Sequence, residues 1–272
     1  MYAPRDLLPN CHMMRLLRNG LKRPTLPRGC QVVRRNEIVK QHQTGAAMIE
    51  FGLLALPLLL LGLLIIEAAH WQLVRQLAYV ALLDGARAGA TQHGRPSAIE
   101  QAFAHAFLPR FIYAGSNAHE TQRRHWERIQ QRTGMPAWKI EVLQPDEAAF
   151  RIHAQPGLRI PGVTGRLVIN NDFQAEQHAR TPATRPDIFE ANTLHVRLTY
   201  LHEPLTPLMR TLLRRIARPT HHCTQQAWLH GLLAIRLELH VEMHSHPVAW
   251  QKTPPAHHDK VIYGTWSCMD ER

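Results

Sequence analysis

Among the side chains able to do chemistry, Glu50 is the one charge inside a long apolar stretch and needs an explanation. It lies in Gly45-Ala46-Ala47-Met48-Ile49-Glu50-Phe51, and no other charged residue occurs between Gly45 and Ile66. An ionised side chain at mid-bilayer costs on the order of 2.5 to 3.5 kcal/mol. Glu50, however, is near the start of the apolar run, where the positive end of a helix dipole favours an anion. A cut after Gly45 would also leave a free amine about 6 Å above it, at about 1.5 Å of helix per residue.

The other reactive groups do not assemble into a site. The chain has 19 histidines, and His240, His244 and His246 fall on one face of an alternating strand beside Glu242, with adjacent pairs at His221-His222 and His257-His258. Zinc needs three or four convergent ligands. His119-Glu120 and His202-Glu203 lack the second histidine of an H-E-x-x-H motif. There is no G-x-S-x-G, Walker A or G-x-G-x-x-G pattern, so no catalytic, cofactor or metal residue is assigned and no enzyme is expected. None of the four cysteines forms a C-x-x-C pair.

The elements that position Glu50 are a leader and a membrane helix. Residues 1–45 carry nine basic and two acidic side chains, which accounts for much of the formal charge of +11. The excess belongs to a basic cytoplasmic leader and gives no reason to expect nucleic acid as a partner. Residues 46–69 form the transmembrane helix, long enough to cross about 30 Å of hydrocarbon. Arg28, Arg34, Arg35 and Lys40 precede it closely and only Arg75 and Arg87 follow, which keeps the N-terminus inside. A cleaved secretory signal, with Ala68-Ala69 near its cut, is disfavoured because the apolar run exceeds the usual 7 to 15 residues. Cys11 and Cys30 then stay in a reducing compartment. Cys223 and Cys268 face an oxidising one, as a disulfide or as two free thiols.

The basic leader ending in Gly45, the residues Ala46 to Phe51 and the leucine-rich run after them resemble the processing site of type IV prepilins, and more narrowly that of TadE-like proteins of the tight-adherence pilus system. Leu83-Asp84-Gly85-Ala86-Arg87-Ala88-Gly89-Ala90 is similar to the small-residue helix end of that family. The resemblance implies a prepilin peptidase as partner, cleavage between Gly45 and Ala46, and assembly contacts through Glu50 and Phe51. It also implies other pilin-like subunits and assembly proteins as partners, and a single-pass location in the lipid bilayer of the inner membrane with a periplasmic C-terminal domain. The reading is a minor pilin-like subunit or assembly factor. The alternative is an uncleaved, membrane-anchored periplasmic protein with a metal site.

The fold class expected is α+β: a long N-terminal transmembrane helix continuing into a pilin-like periplasmic domain with an antiparallel sheet. Pro57 should kink the membrane helix, and Val74, Ala78, Ala81, Gly85 and Ala88 recur as a small-residue stripe that extends it through residues 70–110. Ser97 with Glu100 reads as a capping box for a helix through Phe107, and in the domain of residues 111–246 His119 to Arg132 reads as a polar helix. Trp138, Ile140 and Val142 read as a half-buried strand, followed by a turn at Pro145 and a return strand from Phe150. Leu194 to Tyr200 and Leu233 to Met243 alternate as strands. Thr206-Pro207 opens an amphipathic helix, with Arg210, Arg214, Arg215 and Arg218 away from its apolar face, expected to pack on its own sheet rather than to lie on anionic lipid headgroups, and residues 247–272 read as a loose tail.

Overall fold

The computed structural model describes residues 44–113, 115, 117–182, 184–218, 223–250 and 259–266. The chain divides into Met1–Glu50 and Phe51–Arg272. Of the first unit only residues 44–50 are described, as the opening turns of helix α1 (Thr44–Thr91, 48 residues). Residues 1–43 of the expected basic leader therefore lie outside the described residues.

In the second unit α1 has two environments. Through Ile66 its large side chains are bare, with Phe51 72%, Leu58 67% and Ile66 58% exposed, and the helix is long and apolar enough to cross a membrane. Beyond Glu67 the same helix supplies the core of the domain. Val74, Ala78, Ala81, Leu82, Ala86 and Ala90 are fully buried. Small residues are required there because other elements lie almost on the helix backbone. A Cβ on Gly85 would stand 3.2 Å from the Ile99 carbonyl oxygen, and one on Gly89 would stand 2.8 Å from Ile99 Cγ1 and 3.0 Å from Leu194 Cδ2.

The sheet has four strands in the order β3-β2-β1-β4. They are β1 (Trp138–Gln144), β2 (Thr193–His202), β3 (Leu233–Glu242) and β4 (Val261–Tyr263). β2 pairs antiparallel with β1 (Ile140 opposite Leu198) and with β3 (Leu198 opposite Leu237). Ile140, Leu198 and Leu237 thus align across the sheet in the same core as Phe103 and Phe107. The sheet is mixed rather than wholly antiparallel, since β4 runs parallel to β1 with Ile140 opposite Val261.

Four further expectations are corrected. Helix α2 (Pro96–Ala106) has Arg95 at its N-cap with no side-chain cap bond, and Pro96 in its first turn, so the Ser97–Glu100 capping box does not form. The segment after Pro145 is helix α4 (Glu147–His153), not a return strand, because the Asp146 carboxylate accepts the Ala149 amide at 2.8 Å and starts a helix. β1 is buried on both faces: Lys139 lies 4.8 Å over the Trp266 ring and Glu141 accepts the Trp266 amide at 2.8 Å. The described parts of the supposed tail are built in, with Val248 fully buried, Trp250 Nε1 donating to the His93 carbonyl at 2.8 Å, and β4 on the sheet.

The polar helix is α3 (Ala118–Thr133), capped by Asn117 and ended by Gly134 at φ 71°. Short helices α5 (Gln174–Arg180) and α6 (Ile188–Ala191) precede β2. α7 (Pro207–Ile216) and α8 (Cys223–Leu229) lie between β2 and β3. Thr206 Oγ1 caps α7 by accepting the Met209 amide at 3.4 Å, as the sequence suggests. The apolar face of α7 does not cover the sheet, however: Leu208, Leu212 and Ile216 are about half exposed and only Leu213 is buried.

Candidate functional site

The residues expected to carry function lie at the start of α1. Gly45 and Ala46 fall in its first turn, where the backbone amides have no intrahelical acceptor and the helix opens most easily. Glu50 is exposed, and so are Met48 (79%), Ile49 (67%) and Phe51 (72%). Glu50 has no hydrogen-bond or ion-pair partner among the described residues. An anion at the head of an apolar stretch, beside a bare aromatic ring, is free to meet a cation from outside the chain.

A second polar group marks the other end of the membrane segment. Glu67, 3% exposed, directly follows the bare run ending in Ile66. Its Oε1 accepts the Leu205 amide at 3.0 Å, and its Oε2 accepts the Thr206 amide and the Thr206 hydroxyl, both at 2.9 Å. The carboxylate thereby fastens the loop between β2 and α7 to α1. The charge suits the N-terminus of α7, where orphan amides and the helix dipole favour an anion.

One helical turn beyond Glu67, His70 faces His202, with ring centroids 5.2 Å apart. Burial, and then the charge of Arg110, hold the His70 imidazole below its ordinary pKa. Burial, then His70 and Arg110, bring His202 down to about 4. Both rings are therefore neutral near pH 7. Glu203, the next residue, anchors two cations: Arg132 at 2.8 Å and Arg210 at 3.3 Å. Burial would raise its carboxyl pKa, but the Arg132 hydrogen bond and the two guanidinium charges hold it below the ordinary value.

Ligand atoms of Glu67, His70 and His202 lie within 4.8 Å of one another, close enough to hold a metal ion. Both Glu67 oxygens are already acceptors in the α7 cap, and the Arg110 charge bears on both imidazoles. The arrangement works as a cap flanked by two neutral rings. The histidine stripe of β3 does not converge. His240 stacks on His195 at 3.8 Å, His244 is exposed, and His246 Nδ1 accepts the Asn171 amide at 3.0 Å.

Sequence reading passed over the Glu67–Thr206 pair and the Glu67-x-x-His70 spacing. The available signal was a carboxylate one residue past an apolar run with a histidine one turn later; its partners arrive from residues 202–206, which sequence order does not bring near. Cys223 is disulfide-bonded. It and Trp266 both border the main core; Cys268 lies outside the described residues.

Residues 45–87 match the model of a family described as TadE-like protein. The matched stretch holds Gly45, Glu50, Phe51, Glu67 and most of the buried stripe of α1, and the match implies a role in the tight-adherence pilus system. No curated protein and no solved structure matches the chain.

Proposed function

We propose, for a chain whose residues 45–87 are TadE-like, that it is a minor pilin-like subunit or assembly factor of a tight-adherence pilus. In this reading prepilin peptidase cuts after Gly45 and the product stays in the inner membrane with its C-terminal domain in the periplasm. Leader charge supports that orientation. The observation that carries the reading is the division of labour within α1. One unbroken helix is bare and apolar through Ile66 and then becomes the buried spine of an α+β domain.

A lone anchor has no need of that continuity, because a flexible tether would hold a domain at a membrane equally well. A subunit that packs laterally through its membrane helix does need it, since the helix must transmit its placement to the domain. Glu50 supplies the polar contact, as counter-ion to the free amine of a neighbouring processed chain. Phe51 supplies apolar contact beside it.

The test is N-terminal sequencing of the protein extracted from membranes of a host that has prepilin peptidase. A mature chain beginning at Ala46 is expected. Full-length protein alone, or a chain beginning near His70, overturns the reading.

A further inference from the structure

We propose that α7 is an interfacial helix that lies in the headgroup layer of an anionic membrane beside the exit of α1. Leu205, Leu208, Leu212 and Ile216 would enter the acyl boundary. Leu208, Leu212 and Ile216 are spaced by four residues on one side of the helix, and Leu205 immediately precedes its N-cap. Each is exposed, between 47% and 53%. Leu213, 4% exposed, lies about 100° further round and holds the helix to the domain. The apolar face is thus directed away from the protein that carries it. Four half-exposed aliphatic side chains are a sizeable patch without a partner among the described residues.

The occupant follows from position and charge. Leu205 and Thr206 are hydrogen-bonded to Glu67, one residue past Ile66, so the helix begins where the bare part of α1 ends. The exposed Leu205 is thereby held one residue from the bare apolar run of α1. Arg214 and Arg215 are exposed, and neither has a carboxylate partner among the described residues, unlike Arg210, which bonds Glu203 and the Pro204 carbonyl. Arg215 falls at the edge of the apolar arc, a position from which it reaches a phosphate while the leucines enter the bilayer. Such a helix would fix the tilt and rotation of the domain on the membrane. The inference rests on the membrane segment and not on the pilus reading.

The test uses the full chain in nanodiscs, with a ketone-reactive nitroxide on an unnatural residue at position 208 or 212, so that the cysteines remain untouched. Oxygen concentrates in lipid and a nickel chelate stays in water. The expected result is oxygen collisions exceeding chelate collisions at 208 and 212, with the opposite order at position 211. Replacing phosphatidylglycerol by phosphatidylcholine, or Arg215 by Gln, should shift the labels toward water, by about fivefold in the partition for the arginine removed. Chelate-dominated collisions at 208 and 212 in phosphatidylglycerol discs would overturn the proposal. Protection from both reagents that appears only with two chains per disc would assign the face to a second copy and overturn it as well.

Discussion

The Glu67 carboxylate holds Thr206 by two bonds of 2.9 Å, from the Thr206 amide and its hydroxyl. A residue that directly follows the apolar run thus fixes the cap residue of a helix far along the chain. Glu67→Ala removes the acceptor and leaves two part-buried amide donors unsatisfied. Hydrogen bonds to charged groups contribute about 1.5 to 3 kcal/mol each and do not add fully, so a loss of about 3 kcal/mol is expected in denaturant unfolding of the detergent-solubilised protein. Glu67→Gln, which keeps an acceptor, should lose less. Equal unfolding midpoints for wild type and Glu67→Ala would refute the cap.

At the other end of the segment, Gly45→Val should block cleavage by placing a side chain at the scissile position. Glu50→Ala should leave insertion and cleavage intact and abolish incorporation into pili. In a low-dielectric setting an amine deprived of its counter-ion costs on the order of 3 to 5 kcal/mol. Normal piliation by correctly cut Glu50→Ala protein would remove the subunit reading.

Gly89 sits where α1 meets Ile99 and Leu194 at contacts closer than a Cβ tolerates. Gly89→Val should cost about 1 to 3 kcal/mol through overpacking, although glycine is a poor helix former. A rise in the thermal midpoint would show that the neighbours yield freely.

Two imidazoles make the domain acid-sensitive. Burial, then the Arg110 charge, bring His125 from 6.5 to about 4, and burial, then His70 and Arg110, bring His202 to about the same value. The unfolded chain binds a proton on each at pH values where the folded chain does not. Stability is therefore whole above about 6.5 and falls as pH drops toward 4, by about 3 kcal/mol for each ring. His125→Phe, which keeps a ring against Phe111, should remove one share of that loss. An unfolding midpoint that does not change between pH 7 and 4.5 would exclude the effect.

The disulfide at Cys223 closes a long loop if Cys268 is its partner, as the compartment argument and the shared core contacts of Cys223 and Trp266 support. Cys268→Ser should then free the Cys223 thiol and cost about 2 to 4 kcal/mol. Non-reducing mass spectrometry of the wild type that finds Cys223 and Cys268 both free, or bridged to other residues, would exclude this pairing.

What the sequence by itself determined is what depends on near neighbours along the chain. The apolar length after Gly45 makes a helix long enough to cross a membrane, and the period-2 pattern of Leu194 to Tyr200 sets the central strand with Leu194, Val196, Leu198 and Tyr200 inward. The small residues of α1 were legible as a stripe because helical spacing repeats locally. Tertiary structure decided whatever required distant segments to meet. β1 is buried on both faces only because Trp266 and β4 return to it, and no alternation within Trp138 to Gln144 records that cover. The partners of Glu67 lie near residue 205 because β2 runs back along the buried half of α1. The bare face of α7 has the same amphipathic pattern as a helix packed on its own sheet. Pattern shows that an apolar face exists; only the placement of the other elements decides whether protein or lipid meets it.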